Sequence, residues 1–263
     1  MTPWKTALSH SDETHMWIRG QDISSLMTKA SFTEVLFLLH YGRFPTDDER
    51  RLVDAILIAV ADHGPGSPSA ATSRLVASAN RQAPEAAVAA GILAIGDAHA
   101  GAGMACMQMI EASLALVSHE GISIEKAASR AVEEAIREKV RLPGFGHRVH
   151  KRDPRTSVLF ALARERKLDG QGIAFLNAVE AVASQKIKRL PINIDGALAG
   201  VLYDLGFPPL FGKLVFIVGR AAGLSAQVME EYTRERPMRI RIPVTYDGVL
   251  PQSGNGGNGS NGL

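Results

Sequence analysis

The chain has 263 residues, of which 46% are hydrophobic and 21% charged, so it is long enough to bury a core and has the composition of a soluble globular protein. Its formal net charge of +2 provides no general basic field, so nucleic acid is not indicated as a partner. The single cysteine, Cys106, excludes an internal disulfide, and because neither a secretory signal nor an apolar run of membrane-spanning length is visible, we expect a cytoplasmic protein without a membrane partner.

The first half of the chain predicts helices behind a short N-terminal segment. Residues 1–20 predict an extended arm or a short hairpin. Apolar residues at helical spacing follow, and Thr46 with Glu49 forms a capping box. The run from Ala86 to Gly96 is almost entirely apolar, and a helix that is apolar on every side must be buried, so we expect it at the centre of the core. The predicted helices of this half begin near Asp22, Ser31, Thr46, Ala70 and Pro84.

The second half also predicts helices, with no long alternating strand pattern and no fixed repeat. Helices are predicted at about 104–118, 123–140, 154–166, 171–188, 208–223 and 225–234, with Gly223 between the last two. The segment 237–249 predicts an extended arm. Residues 252–263 are too polar and glycine-rich to pack, which predicts a disordered tail. The fold class indicated is all-α.

One stretch concentrates chemically useful residues. Pro143 to Arg155 holds two glycines, two histidines, four cations and two prolines within thirteen residues. Glycines admit a ligand close to the backbone, a histidine exchanges a proton near neutral pH, and cations bind a polyanion. A polar interhelix loop with scattered charge is the alternative that composition leaves open.

This run resembles the signature loop of the citrate synthase superfamily. His99-Ala100-Gly101-Ala102 and Asn193-Ile194-Asp195-Gly196 resemble two further family motifs in the same order. The short length and the Asp62-His63-Gly64-Pro65 run resemble the citryl-CoA lyase branch, which includes the C-terminal module of ATP-citrate lyase. The resemblance implies a large helical domain of residues 1–100 plus 207–251 and a small helical domain of residues 101–206. The active site would lie in the cleft between them and be completed by a second subunit.

The resemblance also implies roles for individual residues. Asp195 would be the acid/base at the acetyl carbon, His99 would donate to the thioester oxygen, and His147 would act on the hydroxyl or ketone oxygen of the other fragment. The arginines that would bind the tricarboxylate are Arg74, Arg155, Arg220 and, from the partner subunit, Arg236. The residues that would bind CoA are Gly144, Phe145, Gly146, Lys151, Arg152, Lys186 and Lys188. No metal is implied.

Taken singly, these residues leave other interpretations open. Asp195 would suit a helix N-cap, His99 a satisfied core histidine, and Arg74 a surface ion pair. Ala100 stands where the family usually has glycine, so its extra methyl leaves the acyl group of the substrate open.

The preferred function is cleavage of citryl-CoA, or a close analogue, to oxaloacetate and acetyl-CoA by an Asp/His/His acid–base mechanism. The alternative is a citrate or 2-methylcitrate synthase-type condensation, and the second alternative is a non-catalytic subunit that binds CoA metabolites. A homodimer or homotetramer is expected, with a possible ligase subunit that supplies citryl-CoA. The direction of the reaction in the cell stays open.

Overall fold

The computed structural model describes residues 3–146 and 153–249. A small antiparallel sheet at the N-terminus precedes the helices, in agreement with the predicted hairpin, and its order is β1-β2-β3. The strands are β1 (Ser9–Ser11), β2 (Met16–Ile18) and β3 (Gln21–Asp22). Residues 237–249 form no helix or strand and are largely exposed, and the tail predicted at 252–263 lies outside the described residues.

The rest of the described chain is helical, which confirms the all-α prediction. Thr46 and Glu49 form the predicted capping box, and Ser31 caps the preceding helix in the same way. The eleven helices of the described residues are α1 (Ile23–Lys29), α2 (Phe32–Tyr41), α3 (Asp47–Ala61), α4 (Pro68–Ala79), α5 (Pro84–Leu93), α6 (Ala102–Glu120), α7 (Ile124–Arg137), α8 (Pro154–Glu165), α9 (Gln171–Lys186), α10 (Ile194–Asp204) and α11 (Pro209–Arg234).

The central helix of the core is α10. Its residues Ile194 and 196–202 are all buried, and it packs against α6, α8, α9 and α11. The prediction that the apolar run from Ala86 to Gly96 forms the central helix is wrong. Helix α5 packs on α4 and α11 and leaves Leu93 85% exposed. Most side chains of α5 are small, so its outer face exposes little apolar area per residue and can remain in contact with water.

Helix α11 is continuous, so the predicted break at Gly223 is wrong. A Cβ atom at Gly223 would collide with the carbonyl oxygen of Ala61 at the end of α3, so this glycine serves a close helix contact. By length and composition α11 could cross a membrane, which the sequence pattern did not indicate, but in this fold it packs against α3, α4, α5 and α6.

The division of the chain into a large and a small domain stays a prediction.

Candidate active site

The described part of the signature loop is joined to the start of α10 by hydrogen bonds. Gly144 O accepts from Asn193 N at 3.0 Å, and Gly146 N donates to Pro191 O at 2.8 Å. The side-chain amide of Asn193 donates to Gly146 O at 2.8 Å. Gly144 has a φ of +82°, and a Cβ atom there would lie 2.7 Å from Gly196 Cα. This glycine, predicted to admit CoA, therefore also allows the loop to pack directly on α10.

Asp195 lies in the first turn of α10, and the N-cap of that helix is Asn193, whose side chain accepts from Gly196 N at 3.1 Å. The Oδ1 atom of Asp195 is buried and has no hydrogen-bond partner within the described residues. Burial raises the pKa of Asp195 to about 6, against the opposing charges of Arg155 and Arg220. A carboxyl group in this state can both accept and donate a proton near neutral pH.

His99 is bound to the start of α4. Its Nε2 lies 3.0 Å from Ser69 Oγ and accepts from Ser69 N at 3.3 Å. Because Nε2 accepts a backbone N–H, hydrogen bonding assigns the proton of the neutral ring to Nδ1. Its neighbour Ala100 has a φ of +63°, a left-handed conformation that glycine adopts more easily, as expected where the family usually has glycine.

Arg220 joins this cluster from α11. It is only 3% exposed, and its Nη1 donates to Ser69 Oγ at 3.1 Å while its Nε donates to Val60 O at 2.8 Å. Its guanidinium carbon lies 5.0 Å from the centre of the Phe216 ring. Ser69 thus contacts both His99 and Arg220. Ser69 was not among the residues predicted from the sequence, although its place in the first turn of a helix after the Gly64–Pro68 break was a usable signal.

Arg155 approaches Asp195 from α8. Its Nε and Nη2 donate to the buried Asp153 at 3.0 and 2.8 Å, and its Nη1 donates to Ala59 O at 2.9 Å. Asp153 also accepts from Ile194 N at 3.2 Å. These contacts tie the end of the signature loop to both α3 and α10. The structure therefore brings together His99, Asp195, Arg155 and Arg220.

Two of the arginines predicted to bind the tricarboxylate, Arg74 and Arg236, lie outside this cluster. Arg74 is buried, and its guanidinium donates to Gln227, Glu230 and Glu231 at 2.7, 2.8 and 3.0 Å. Arg74 therefore forms ion pairs, as the alternative interpretation predicted, but it does so in a buried position and not at the surface. Arg236 is exposed beyond the end of α11. The substrate-binding roles of both residues stay predictions.

A cavity of 720 Å³ opens beside the signature loop. It is lined by three of the residues predicted to bind CoA, Phe145, Gly146 and Lys188. Lys186 instead pairs with Glu133 of α7. Two cations on the cavity wall, Lys139 and Arg141, were not predicted, although both lie within four residues of the start of the signature run. His147, Lys151 and Arg152 lie outside the described residues.

Comparison with known proteins defines the class. A family described as "Citrate synthase, C-terminal domain" matches residues 45–241. The chain therefore belongs to the citrate synthase family, as the resemblance predicted, and its mainly helical structure is citrate synthase-like.

Individual relatives differ in their identity to this chain and in how much of it they match. The structure of citryl-CoA lyase from Hydrogenobacter thermophilus is similar over 95% of this chain and 96% of its own, with a TM-score of 0.83 and 36% identity. ATP citrate lyase of Methanosaeta concilii, solved with (3S)-citryl-CoA, is similar in fold over 96% of this chain and 42% of its own, with a TM-score of 0.77 and 21% identity. Citrate synthase of Heyndrickxia coagulans is 29% identical over 230 residues, and the chain spans 58% of that relative's length.

Proposed function

We propose that this protein is an enzyme that cleaves citryl-CoA, or a close analogue, to oxaloacetate and acetyl-CoA. The observation that carries the proposal is the likeness to citryl-CoA lyase over 95% of this chain and 96% of that one, so that both chains are matched almost end to end. The citrate synthases among its relatives support the alternative condensation, since the Heyndrickxia enzyme is 29% identical over 230 residues.

The proposed cleavage reverses a carbon–carbon condensation and needs no oxidant. His147 removes the proton from the tertiary hydroxyl of citryl-CoA, and that oxygen becomes the ketone of oxaloacetate. The electrons of the broken carbon–carbon bond pass to the acetyl carbon as a thioester enolate. Asp195 then donates its proton to that carbon, which yields acetyl-CoA.

The described residues suit these steps. With its pKa raised to about 6, Asp195 can hold the required proton near neutral pH. His99, held at the start of α4 by Ser69, would donate a hydrogen bond to the enolate oxygen. Arg155 and Arg220 supply cations next to Asp195 that match the carboxylates of the substrate, and the desolvated position of Arg220 strengthens such a contact.

We propose that the cavity of 720 Å³ holds the nucleotide end of CoA. Lys139, Arg141 and Lys188 would bind its phosphates, and the apolar side chains of Ile187 and Leu190 would pack against the adenine. Lys151 and Arg152 remain candidates for the same phosphates.

We further propose that the protein acts in the cytoplasm as a homodimer or homotetramer in which Arg236 completes the site of the partner. The exposed apolar face of α5 supports an assembly of this kind, because Leu93 is 85% exposed there. A ligase subunit that supplies citryl-CoA belongs to the same proposal.

Two assays separate the candidate functions. In the first, citryl-CoA is added and oxaloacetate is followed with malate dehydrogenase and NADH. In the second, acetyl-CoA and oxaloacetate are added and free CoA thiol is followed. Rapid release of oxaloacetate without release of thiol supports the lyase, whereas prompt release of thiol supports the synthase.

The matched control is Asp195→Asn, which keeps the size of the side chain and removes its proton exchange. It is expected to slow either reaction by about 10²- to 10⁴-fold. Full activity of this variant would contradict the role of Asp195. Binding of CoA without either reaction would favour the non-catalytic alternative.

A further inference from the structure

A row of buried polar side chains follows one face of α11 away from the candidate active site. Arg220, Gln227 and Glu231 are 3%, 8% and 0% exposed. Residues three or four positions apart share a helix face, and Gly223 lies in the same face, where it allows α11 to approach the end of α3. Buried polar groups require partners, so the contacts of this row indicate its purpose.

Gln227 links Asp62 at the end of α3 to Arg74 on α4. Its Nε2 lies 3.2 Å from each carboxylate oxygen of Asp62, and its Oε1 accepts from Arg74 Nη1 at 2.7 Å. Arg74 is held in turn by Glu231, at 3.0 Å. Because both ends of the amide are engaged, the NH₂ group of Gln227 has a defined direction, towards Asp62.

Asp62 is the point at which this row reaches the site. Its Oδ2 accepts from Gly64 N at 3.1 Å, and Ser67 Oγ donates back to Gly64 O at 3.1 Å. The loop shaped in this way leads into α4, whose residue Ser69 contacts His99 and Arg220. Burial lowers the pKa of Arg220, and the carboxylate of Asp62 opposes that shift through space.

We infer that Gln227 is a positioning residue: it fixes the carboxylate of Asp62, which holds the loop over residues 62–69 and the guanidinium of Arg220 in place for a carboxylate ligand. Gln227 acts through Asp62 and not by touching the ligand. The inference rests on the proposed function for the identity of that ligand, a tricarboxylate.

Calorimetric binding of citrate and of CoA to the full chain tests the inference. Gln227→Met keeps the side-chain volume and removes the hydrogen bonds to Asp62 and Arg74, so the dissociation constant for citrate should rise about tenfold. The dissociation constant for CoA should stay unchanged, because the proposed CoA cavity is lined by other elements. Gln108→Met, the same change on the exposed side of α6, is the control and should alter neither constant.

A double-mutant cycle tests whether Gln227 acts on citrate binding through Asp62. Asp62→Ala alone should reproduce the loss of citrate affinity, and Gln227→Met added to it should cost less than about twofold more. Asp62 is exposed, so this variant carries the test even where Gln227→Met does not fold.

Three results would overturn the inference: unchanged citrate affinity in a folded Gln227→Met protein, equal losses of citrate and CoA affinity, or fully additive effects of the two substitutions. Lack of citrate binding by the unmodified protein would overturn the proposed substrate class together with the inference. Retained binding in the Gln227 variant would overturn the inference alone.

Discussion

The buried environment of Asp195 destabilises its charged form and thereby suits it to acid–base chemistry. Its buried Oδ1 has no partner among the described residues, which lowers the stability of the charged form and raises the pKa. Arg155 and Arg220 act in the opposite direction, so the pKa reaches about 6 and does not rise further. A carboxyl group poised in this way suits acid–base work better than it suits stability.

The free energy of unfolding should depend on pH because of the raised pKa of Asp195. The pKa of Asp195 is about 6 in the folded chain, whereas the ordinary pKa of an aspartate side chain is 3.8. Between these two values the folded state binds more protons than the unfolded state, so this group lowers the free energy of unfolding as the pH rises through that window. Asp195→Asn should therefore stabilise the protein at pH 8, by at most about 3 kcal/mol, and have little effect near pH 4. Urea unfolding at both pH values measures the difference, and an equal gain at the two would contradict it.

Ser69 provides a second test at the scale of single residues. Ser69→Ala removes the hydroxyl that His99 and Arg220 share, so kcat/KM for the proposed cleavage should fall about 10- to 100-fold. Ser73→Ala is the control: Ser73 is also buried on α4, but its hydroxyl donates to Ala87 O at 2.9 Å, outside the candidate site. Equal losses of activity in the two variants would mean that Ser69 acts only through the stability of α4.

At the scale of the elements, the packing of α11 against α3 positions Arg220 in the candidate active site. Gly219 lies against Val60 and Leu57, and Gly223 lies against Ala61. Larger side chains at these two positions would push the helices apart, and the bond from Arg220 Nε to Val60 O, 2.8 Å long, would be lost with the contact. Close helix packing is thus a condition for the geometry of the site.

Gly223→Ala tests this contact. Helix propensity alone would favour alanine by about 1 kcal/mol, but the collision of the new Cβ with Ala61 O should outweigh it. The expected net result is a loss of about 1–3 kcal/mol in the free energy of unfolding. Gly66→Ala, where a Cβ would meet nothing within 4 Å, is the control and should be close to neutral. A stabilised Gly223→Ala protein would show that propensity prevails over the collision.

At the scale of the whole molecule, the exposed face of α5 is a candidate for contact with a second copy of the chain. Most of its side chains are small, yet Leu93 is 85% exposed at its end, near the turn that carries His99. A second copy packed on this face would cover it and place the two candidate sites near a common interface.

Leu93→Glu should therefore disrupt the proposed assembly, because a charge buried in an apolar interface is not compensated. Sedimentation velocity is expected to show monomers for this variant and a dimer or tetramer for the unmodified protein. Gln108→Glu, which adds the same charge at an exposed polar residue of α6, should leave the assembly intact. An unchanged oligomer in the Leu93 variant would exclude this face from the interface.

Local sequence determined the features that depend on near neighbours. The capping box of Thr46 and Glu49 predicted the start of α3, because the hydrogen bonds of a cap join residues three positions apart. The signature run and the motifs around His99 and Asp195 predicted the family, because their residue types and spacing can be recognised without knowing their contacts.

Tertiary structure alone decided the features that depend on distant partners. Ser69 contacts Arg220 across 151 positions of the chain, and Gln227 contacts Asp62 across 165. The raised pKa of Asp195 likewise comes from burial by other helices, and helical periodicity could not tell that α10 is enclosed on all sides while α5 is covered on one. A sequence pattern records which face of a helix is apolar, whereas the number of elements that cover the helix is set by long-range packing.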